Sequence, residues 1–369
     1  MADVEAAPGD TPVETENAPV AAAAEPLSSE IIAGCLSNLS RTSNGLSVAY
    51  TKLDCRSKSI ADIDLLRNFH HLKFVDLSDN AIKNIAPLGP LDNLLTMEVK
   101  NNQVKAVPID LDARKYLQRA DLSSNKIESF DVKSWPLCHY LNLNDNQLEQ
   151  LRLPDFPQLY HLEARNNKLN NTGGIGAPLL QKLYLAGNQI DTIVGLESLT
   201  KLEFMHLRGN KISRLDGFSA NNVALTGLNL RGNLVSDPNE LDKLTVLPAL
   251  TKLTLSETPL AENSHYRLEV AMRLKNLTML DKIEFTPDER EEAVQYKEQL
   301  EAEKAEAAAA LKAAQEEEER LKLEEAEAAK AAAEAEALAA AAPAEAPTEG
   351  GEPVEGGEAP TAGEEPPAE

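Results

Sequence analysis

The residue types that carry most enzyme and metal chemistry are present, but their spacing does not assemble a site. None of the six histidines has a cysteine or histidine partner at metal-ligand spacing; they are His70, His71, His139, His161, His206 and His265. Cys55 and Cys138 occupy apolar positions of the repeat described below, so we expect them in the core. Gly173, Gly174 and Gly176 lie in a connection between repeats, whereas a phosphate-binding loop joins a strand to a long helix. We therefore predict no enzymatic activity, no metal and no cofactor.

A second set of residues has the chemistry of protein recognition. Aromatic and arginine side chains are enriched in the cores of protein interfaces, and here they recur in successive repeats. The candidate binding residues are Tyr140, His161, Glu163, Arg165, Tyr184, Phe204, His206, Arg208 and Arg231. The alternative is that the rings only cover an exposed sheet and need no partner. The interface hypothesis depends on elements that bring these residues side by side.

A periodic pattern, Leu-x-x-Leu-x-Leu-x-x-Asn-x-Leu, predicts those elements. Its asparagines follow one another at steps of 21–23 residues, and they are Asn80, Asn102, Asn125, Asn146, Asn167, Asn188, Asn210 and Asn233. A degenerate unit on each side extends the array to about ten units over residues 50–262, as expected of terminal caps. The pattern is that of the leucine-rich repeat.

The pattern predicts an α/β solenoid with a parallel sheet on its concave face. Each Leu-x-Leu forms a short strand, and the asparagine amide bonds the backbones of adjacent coils. Apolar residues at every third position beyond it predict a 3₁₀-like return. No unit can bury its apolar side alone, so stacking supplies one continuous core. The residues between the leucines point to the concave face, where the candidate binding residues form a contiguous stripe.

The two ends of the chain are expected to differ from the repeats. A capping helix over 28–49 begins at Ser28 or Ser29 and ends at Asn44-Gly45. A C-terminal cap occupies 263–286, and a charged Ala/Glu helix over 287–342 follows a Thr-Pro-Asp-Glu start. That helix lacks a heptad seam, which favours a solvated helix between parts of an assembly over a coiled coil. Residues 1–27 and 343–369 are acidic, and we predict that they are disordered.

The charge distribution excludes further classes of function. The formal net charge is −24, and the acidic excess lies in the two ends. Such a chain repels phosphate backbones, so we expect no nucleic-acid binding. No stretch is apolar enough to span a membrane, and the first residues do not resemble a secretion signal. With three scattered cysteines, the chain is expected to be an intracellular protein without a disulfide framework.

Residues outside the generic repeat positions carry a closer likeness. The quoted segments are Asn44-Gly45-Leu46, Ala49-Tyr50, Lys52-Leu53, Ile63, Leu65-Leu66 and Val75-Asp76-Leu77-Ser78, then Leu207-Arg208-Gly209-Asn210, Gly217-Phe218-Ser219 and Leu230-Arg231-Gly232-Asn233. Together they resemble the leucine-rich repeat-containing protein 23 family over about residues 28–296. This family lies within the 22-residue class of intracellular leucine-rich-repeat proteins. Its members are components of ciliary and flagellar radial spokes.

The resemblance implies a non-enzymatic structural subunit of the axoneme, located in the cytoplasm, the cytoskeleton and the cilium or flagellum. Its concave face would hold one radial spoke component, and its C-terminal helix a second. No membrane and no small-molecule substrate are implied. The alternative is a regulatory adaptor that docks a protein phosphatase catalytic subunit on the same face. A spliceosomal role is disfavoured, because nothing basic would help the chain near RNA.

Overall fold

The structure is a computed structural model that describes residues 25–42, 45–112 and 114–340, with the backbone alone over 334–340. The chain divides between Glu298 and Gln299 into two compact units. The predicted disordered tails lie outside the described residues, apart from residues 25–27. There the prediction is wrong, because Glu25–Pro26 form a strand and Leu27 is buried.

Within the described residues, thirteen strands form one sheet and two more form a small second sheet. The strands are β1 (Glu25–Pro26), β2 (Leu36–Arg41), β3 (Val48–Asp54), β4 (Ile60–Asp62), β5 (Phe74–Asp76), β6 (Thr96–Glu98), β7 (Arg119–Asp121), β8 (Tyr140–Asn142), β9 (His161–Glu163), β10 (Lys182–Tyr184), β11 (Phe204–His206), β12 (Gly227–Asn229), β13 (Lys252–Thr254), β14 (Met279–Leu280) and β15 (Ile283–Glu284). The large sheet runs from β2 and β3 through β5 to β15 in chain order, and β1 pairs with β4. Its inner pairs are parallel, whereas β2/β3 and β14/β15 are antiparallel. The predicted leucine-rich-repeat solenoid is confirmed.

Helical segments complete the turns and the ends. The α-helices are α1 (Ser29–Cys35), α2 (Tyr266–Arg273) and α3 (Pro287–Ala340). Short 3₁₀ segments occupy several of the returns, as predicted, and they are Asp64–Asn68, Ala86–Leu88, Ile109–Leu111, Pro238–Val246 and Pro259–Glu262. The repeat leucines and their equivalents fill a continuous core between the sheet and these returns.

The repeat asparagines act as internal connectors, as their type and spacing predict. Asn188 is buried, and its Nδ2 donates to the Ala164 carbonyl of the preceding coil and to the Leu185 carbonyl of its own coil, both at 2.9 Å. Its Oδ1 accepts from the Leu169 N–H at 3.1 Å. The residue before it, Gly187, has a φ of 70°, which turns the chain into the core. This arrangement satisfies backbone groups that water cannot reach.

The N-terminal cap differs from the predicted helix over 28–49. Helix α1 ends at Cys35, and the Ser28 side chain caps its start by accepting from the Ile31 N–H at 3.3 Å. Ile32 and Cys35 are buried against the first coil. The next residues form β2, which pairs with β3. The prediction of a helix beyond Cys35 is therefore wrong.

The physical reason is the open edge of the sheet. A helix over 36–41 would leave the N–H and C=O groups along this edge of β3 without partners, and an antiparallel strand pairs them. Leu39 has the helical spacing of a residue on the same side as Ile32 and Cys35, but it lies opposite Tyr50 in the hairpin and is 58% exposed. Asn44, the predicted helix end, lies outside the described residues. Gly45 has a φ of 72° in the turn between the strands.

The C-terminal cap includes the first turns of α3. A capping box closes the helix start, because Thr286 N–H donates to Glu289 Oε2 at 2.9 Å and Glu289 N–H donates to Thr286 Oγ1 at 3.2 Å. Arg267 pairs with Glu289 at 2.7 Å, and this ion pair lowers the pKa of Glu289 to about 2. Arg290 donates to the Leu277 carbonyl, and Ala293 is buried. Residues 287–293 are thus packed on the cap.

The second unit is helical from Gln299 to Ala340. Residues 301–333 have exposed side chains. Intrahelical ion pairs with i,i+4 spacing include Glu318–Lys322 at 2.6 Å and Lys312–Glu316 at 3.7 Å. The predicted end at residue 342 lies outside the described residues. In the described part of the chain, no helix is both long enough and apolar enough to cross a membrane.

Candidate protein-binding face

The concave face is organised into three rows that cross the strands. In each three-residue strand the middle side chain enters the core, and its two neighbours point to the concave face. The parallel register aligns the first strand residues as row one, which reads Lys52, Phe74, Thr96, Arg119, Tyr140, His161, Lys182, Phe204, Gly227 and Lys252. Row two contains Asp54, Asp76, Glu98, Asp121, Asn142, Glu163, Tyr184, His206, Asn229 and Thr254. Row three contains the residues two positions before the repeat asparagines, including Arg165, Arg208 and Arg231.

Five rings from rows one and two lie close together in the middle of this face. Tyr140 and His161 have centroids 4.9 Å apart, and His161 stacks on Tyr184 at 5.2 Å. Tyr184 contacts Phe204 at 5.7 Å and His206 at 6.1 Å. Offset and edge contacts at such distances are favourable for aromatic pairs. The structure therefore places these candidate residues in one aromatic ladder, each ring half-buried and half-accessible.

Glu163 ties the ladder together by accepting hydrogen bonds. His161 Nε2 lies 2.9 Å from its Oε1, and Tyr140 donates to the same oxygen at 3.3 Å. Asn144 Nδ2 donates to Oε2 at 2.8 Å. Arg165 is a looser partner at 3.6 Å. The hydrogen bond with His161 is the largest cause that lowers the pKa of Glu163 to about 2. The carboxylate thus stays ionised and holds the rings in place.

The three arginines of row three have different surroundings. The Arg165 guanidinium lies over the Tyr184 ring, 4.5 Å from its centroid. Arg208 is exposed. Burial lowers the pKa of His206, and the charges of Arg165 and Arg208 lower it further. Arg231 forms an ion pair with Glu257, which lies in the next turn. The charges of Arg165 and Arg208 thus act on rings of the aromatic ladder, whereas the charge of Arg231 is partly neutralised by Glu257.

Three further residues shape this face and were not among the candidates. The Arg119 guanidinium lies 3.8 Å from the Tyr140 ring centroid and extends the ladder by one strand. Lys182 is exposed between His161 and Phe204 in row one. A Cβ on Gly227 would lie 2.7 Å from Phe204 Cδ2, so the Phe204 ring lies directly against this glycine. All three share the repeat position of Tyr140, and that shared position was the signal that could have identified them.

Comparison with known proteins agrees with the fold and decides the family. A leucine-rich-repeat family model matches residues 159–310. Leucine-rich repeat-containing protein 23 of Xenopus tropicalis is 41% identical over 304 residues, which cover 76% of this chain and 81% of that protein. The Bos taurus protein of the same name is 38% identical over 271 residues, or 73% and 79% of the two chains. This chain belongs to the leucine-rich repeat-containing protein 23 family.

More distant similarities stop at the fold. U2 small nuclear ribonucleoprotein A' of Homo sapiens is 30% identical over 122 residues, which cover 32% of this chain and 48% of that protein. The structure of a leucine-rich-repeat protein of Leptospira interrogans superimposes with a TM-score of 0.51 and 22% identity, over 62% of this chain and 60% of that one. Proteins of the leucine-rich-repeat family and fold are typically non-enzymatic protein-interaction scaffolds, and these comparisons indicate no catalytic family. The role of the aromatic ladder in binding stays a prediction.

Proposed function

We propose that this chain is a structural subunit of the ciliary or flagellar axoneme and a component of its radial spokes. The observation that carries the proposal is the aromatic ladder, which lies on the concave face of a protein-interaction scaffold of this family. One spoke component binds to that face. A second binds to α3 beyond Glu298. The protein acts by positioning its partners and performs no chemistry on them.

The ladder is suited to hold a partner because it is already ordered. Stacked rings and the hydrogen bonds to Glu163 restrict the side chains before binding, so association costs little further side-chain entropy. Half-accessible tyrosine and phenylalanine rings supply apolar area, while Arg165 and His206 supply polar contacts at their rim. Aromatic side chains that become buried on association dominate the free energy of binding in many interfaces.

Helix α3 supports the second half of the proposal. Residues 301–333 are exposed, and their i,i+4 ion pairs stabilise a helix without a partner. Its apolar residues do not form a heptad seam, so a homodimeric coiled coil is disfavoured. A helix of this type binds through its charged surface, which makes the contact sensitive to salt.

The proposal is tested by expressing the tagged full chain in ciliated cells and washing detergent-extracted axonemes with salt. We expect the chain to remain with the axoneme and to crosslink from Lys182 to a radial spoke protein. The double variant Tyr184→Ala/Phe204→Ala is expected to lower the retained fraction at least about tenfold, because both rings are central anchors. Tyr116→Ala, an exposed tyrosine outside the three rows, is the matched control and should change nothing.

Two results would contradict the proposal. Release of the wild-type chain into the soluble fraction, with crosslinks from Lys182 to a phosphatase catalytic subunit, would establish the regulatory adaptor instead. Full retention of the double variant would show that the ladder is not the axonemal contact.

A further inference from the structure

The two ends of the concave face differ in charge. Strands β3, β5, β6 and β7 contribute four acids to the three rows, which are Asp54, Asp76, Glu98 and Asp121. The same repeats contribute four bases, which are Lys52, Arg56, Lys100 and Arg119. Arg56 belongs to row three because Lys58 takes the asparagine position in the degenerate first unit. Strands β10, β11, β12 and β13 contribute no acid to the rows and four bases, which are Lys182, Arg208, Arg231 and Lys252. We name these regions the N-terminal half and the C-terminal half of the face.

The charges of the N-terminal half are neutralised internally. Arg56 lies 2.8 Å from Asp54 and 3.3 Å from Asp76, and Arg119 lies 3.5 Å from Glu98. Exposed pairs of this kind add little stability, but they leave little net field at the surface. This half therefore has weak electrostatic preference for a partner of either sign.

The bases of the C-terminal half are mostly free. Within the described part of the chain, Lys182, Arg208 and Lys252 have no ion pair, and all three are exposed. The pKa of Glu257 is lowered mainly by Arg231, and the charge of Arg208 lowers it further, so Arg208 is less free than the two lysines. The exception is Arg231, whose partner Glu257 lies outside the three rows. Unpaired positive charges around half-buried rings favour a ligand that carries negative charge. Residues 28–286 as a whole are neutral, with 29 acidic and 29 basic residues, so this local excess of positive charge is not a consequence of composition.

The spacing of these charges fits carboxylates on a protein segment. Arg208 and Arg231 each lie two residues past the adjacent strands β11 and β12, whose backbones are about 4.8 Å apart in the pairing direction. Carboxylates three or four residues apart on a helix are separated by about 5–6 Å. Tyr184 and Phe204 lie beside these charges and can receive one apolar side chain of the same segment. Four bases over four strands form no extended basic track for a phosphate backbone, which favours protein over nucleic acid.

We infer that the C-terminal half of the concave face binds an acidic segment of a partner protein, with carboxylates on Lys182, Arg208 and Lys252 and an apolar anchor on the Phe204 ring. This inference rests on the proposed binding role of the concave face and specifies its partner. The N-terminal half bounds the contact and does not select the charge of the partner.

The first test identifies the bound segment directly. Thr254, a neutral member of row two in the C-terminal half, is replaced by p-benzoyl-phenylalanine in the full tagged chain, and ciliated cells are irradiated. Thr96, a neutral member of row one in the N-terminal half, is the matched position. We expect an acidic peptide of another protein to crosslink at position 254, at least about tenfold more than at position 96. The axonemal and soluble fractions are analysed separately.

The outcomes separate this inference from the proposed function. An acidic partner peptide in the soluble fraction alone would uphold the inference and overturn the axonemal role. A neutral or basic peptide in the axonemal fraction would do the reverse. Nuclease-sensitive crosslinks, crosslinks to residues 287–369 of the chain itself, or none at position 254 would each overturn the inference.

The second test uses charge. Lys182→Glu/Arg208→Glu reverses two free bases of the C-terminal half, and Lys52→Glu/Lys100→Glu makes the same charge change in the N-terminal half. With the crosslinked partner peptide as probe, we expect the first variant to raise Kd at least tenfold, or about 1.4 kcal/mol, and the second less than threefold. Equal effects of the two variants would show that only net charge matters and would overturn the inference.

Discussion

The repeat asparagine Asn188 offers the sharpest quantitative prediction, because its four hydrogen bonds can be accounted for one by one. The weakest, to the Ala186 carbonyl at 3.5 Å, is dispensable because the Asn166 N–H also donates to that carbonyl at 2.8 Å. In Asn188→Ala, the Leu185 carbonyl keeps a donor, since Asn210 Nδ2 also reaches it at 3.1 Å. The Ala164 carbonyl and the Leu169 N–H lose the Asn188 side chain that satisfied them. Each buried group left unpaired costs about 1–3 kcal/mol. For two such groups we therefore expect the free energy of unfolding to fall by about 2–6 kcal/mol.

The matched control is the neighbouring residue. Gln189 is exposed, and its replacement by alanine leaves the same turn intact, so Gln189→Ala should change the free energy by less than about 0.5 kcal/mol. Urea unfolding is followed by the fluorescence of the single tryptophan. Trp135 is fully buried in the repeat core and donates to the Leu111 carbonyl at 2.8 Å, so its signal reports the solenoid and not helix α3.

The reasoning would be refuted by a loss below about 1 kcal/mol for Asn188→Ala with an unchanged dependence on urea. Such a result would mean that water enters the turn and satisfies the two orphaned groups. Asn188 would then be dispensable for connecting adjacent coils, because water could replace its hydrogen bonds.

Three further predictions concern charge and packing. The pKa of Glu163 is lowered to about 2, so the ionised carboxylate stabilises the fold fully above its ordinary pKa near 4.5. This stabilisation is lost as the pH falls toward 2. The difference in urea midpoint between wild type and Glu163→Gln should therefore shrink over that range. Gly227→Ala should displace the Phe204 ring and weaken partner binding, with a stability loss of about 1–3 kcal/mol, as measured by titration calorimetry and urea unfolding. Thr286→Ala removes half of the capping box with Glu289 and should raise amide exchange in the first turn of α3, with a local loss of about 1 kcal/mol.

The arrangement of the concave face could be predicted from sequence because spacing alone decides it. Once the asparagine step sets the register, residues at equal offsets must share a row, which placed Tyr140 beside His161 and Tyr184 beside His206. Side-chain partners within a row did not follow in the same way. Arg231 could reach several neighbours, and its choice of Glu257 depends on rotamers that the pattern does not encode.

The prediction of the N-terminal cap was wrong for a different reason. Ile31, Ile32 and Cys35 have helical spacing, and α1 does contain them. The segment after Cys35 has no strong local preference, so its structure depends on the edge of β3, which exists only after the sheet has formed. Strand β2 thus forms because it pairs with β3, which the local sequence pattern does not reveal. The start of α3 at Pro287 was predictable, because its capping box involves only neighbouring residues.

In each coil, the residues that stabilise the fold are different from the residues that form the concave surface. This separation explains why the fold can acquire a specific binding surface with little loss of stability. Leucines and asparagines on the inner side carry the stability, and each coil interacts mainly with its neighbours. The three rows lie on the opposite side of the same strands and contribute few core contacts. Reversing the charge of Lys182 or Arg208 should therefore change the partner without changing the register of the sheet. Stability effects of variants at Asn188 and at Lys182 should accordingly be additive, because the two side chains lie on opposite sides of the backbone and share no partner.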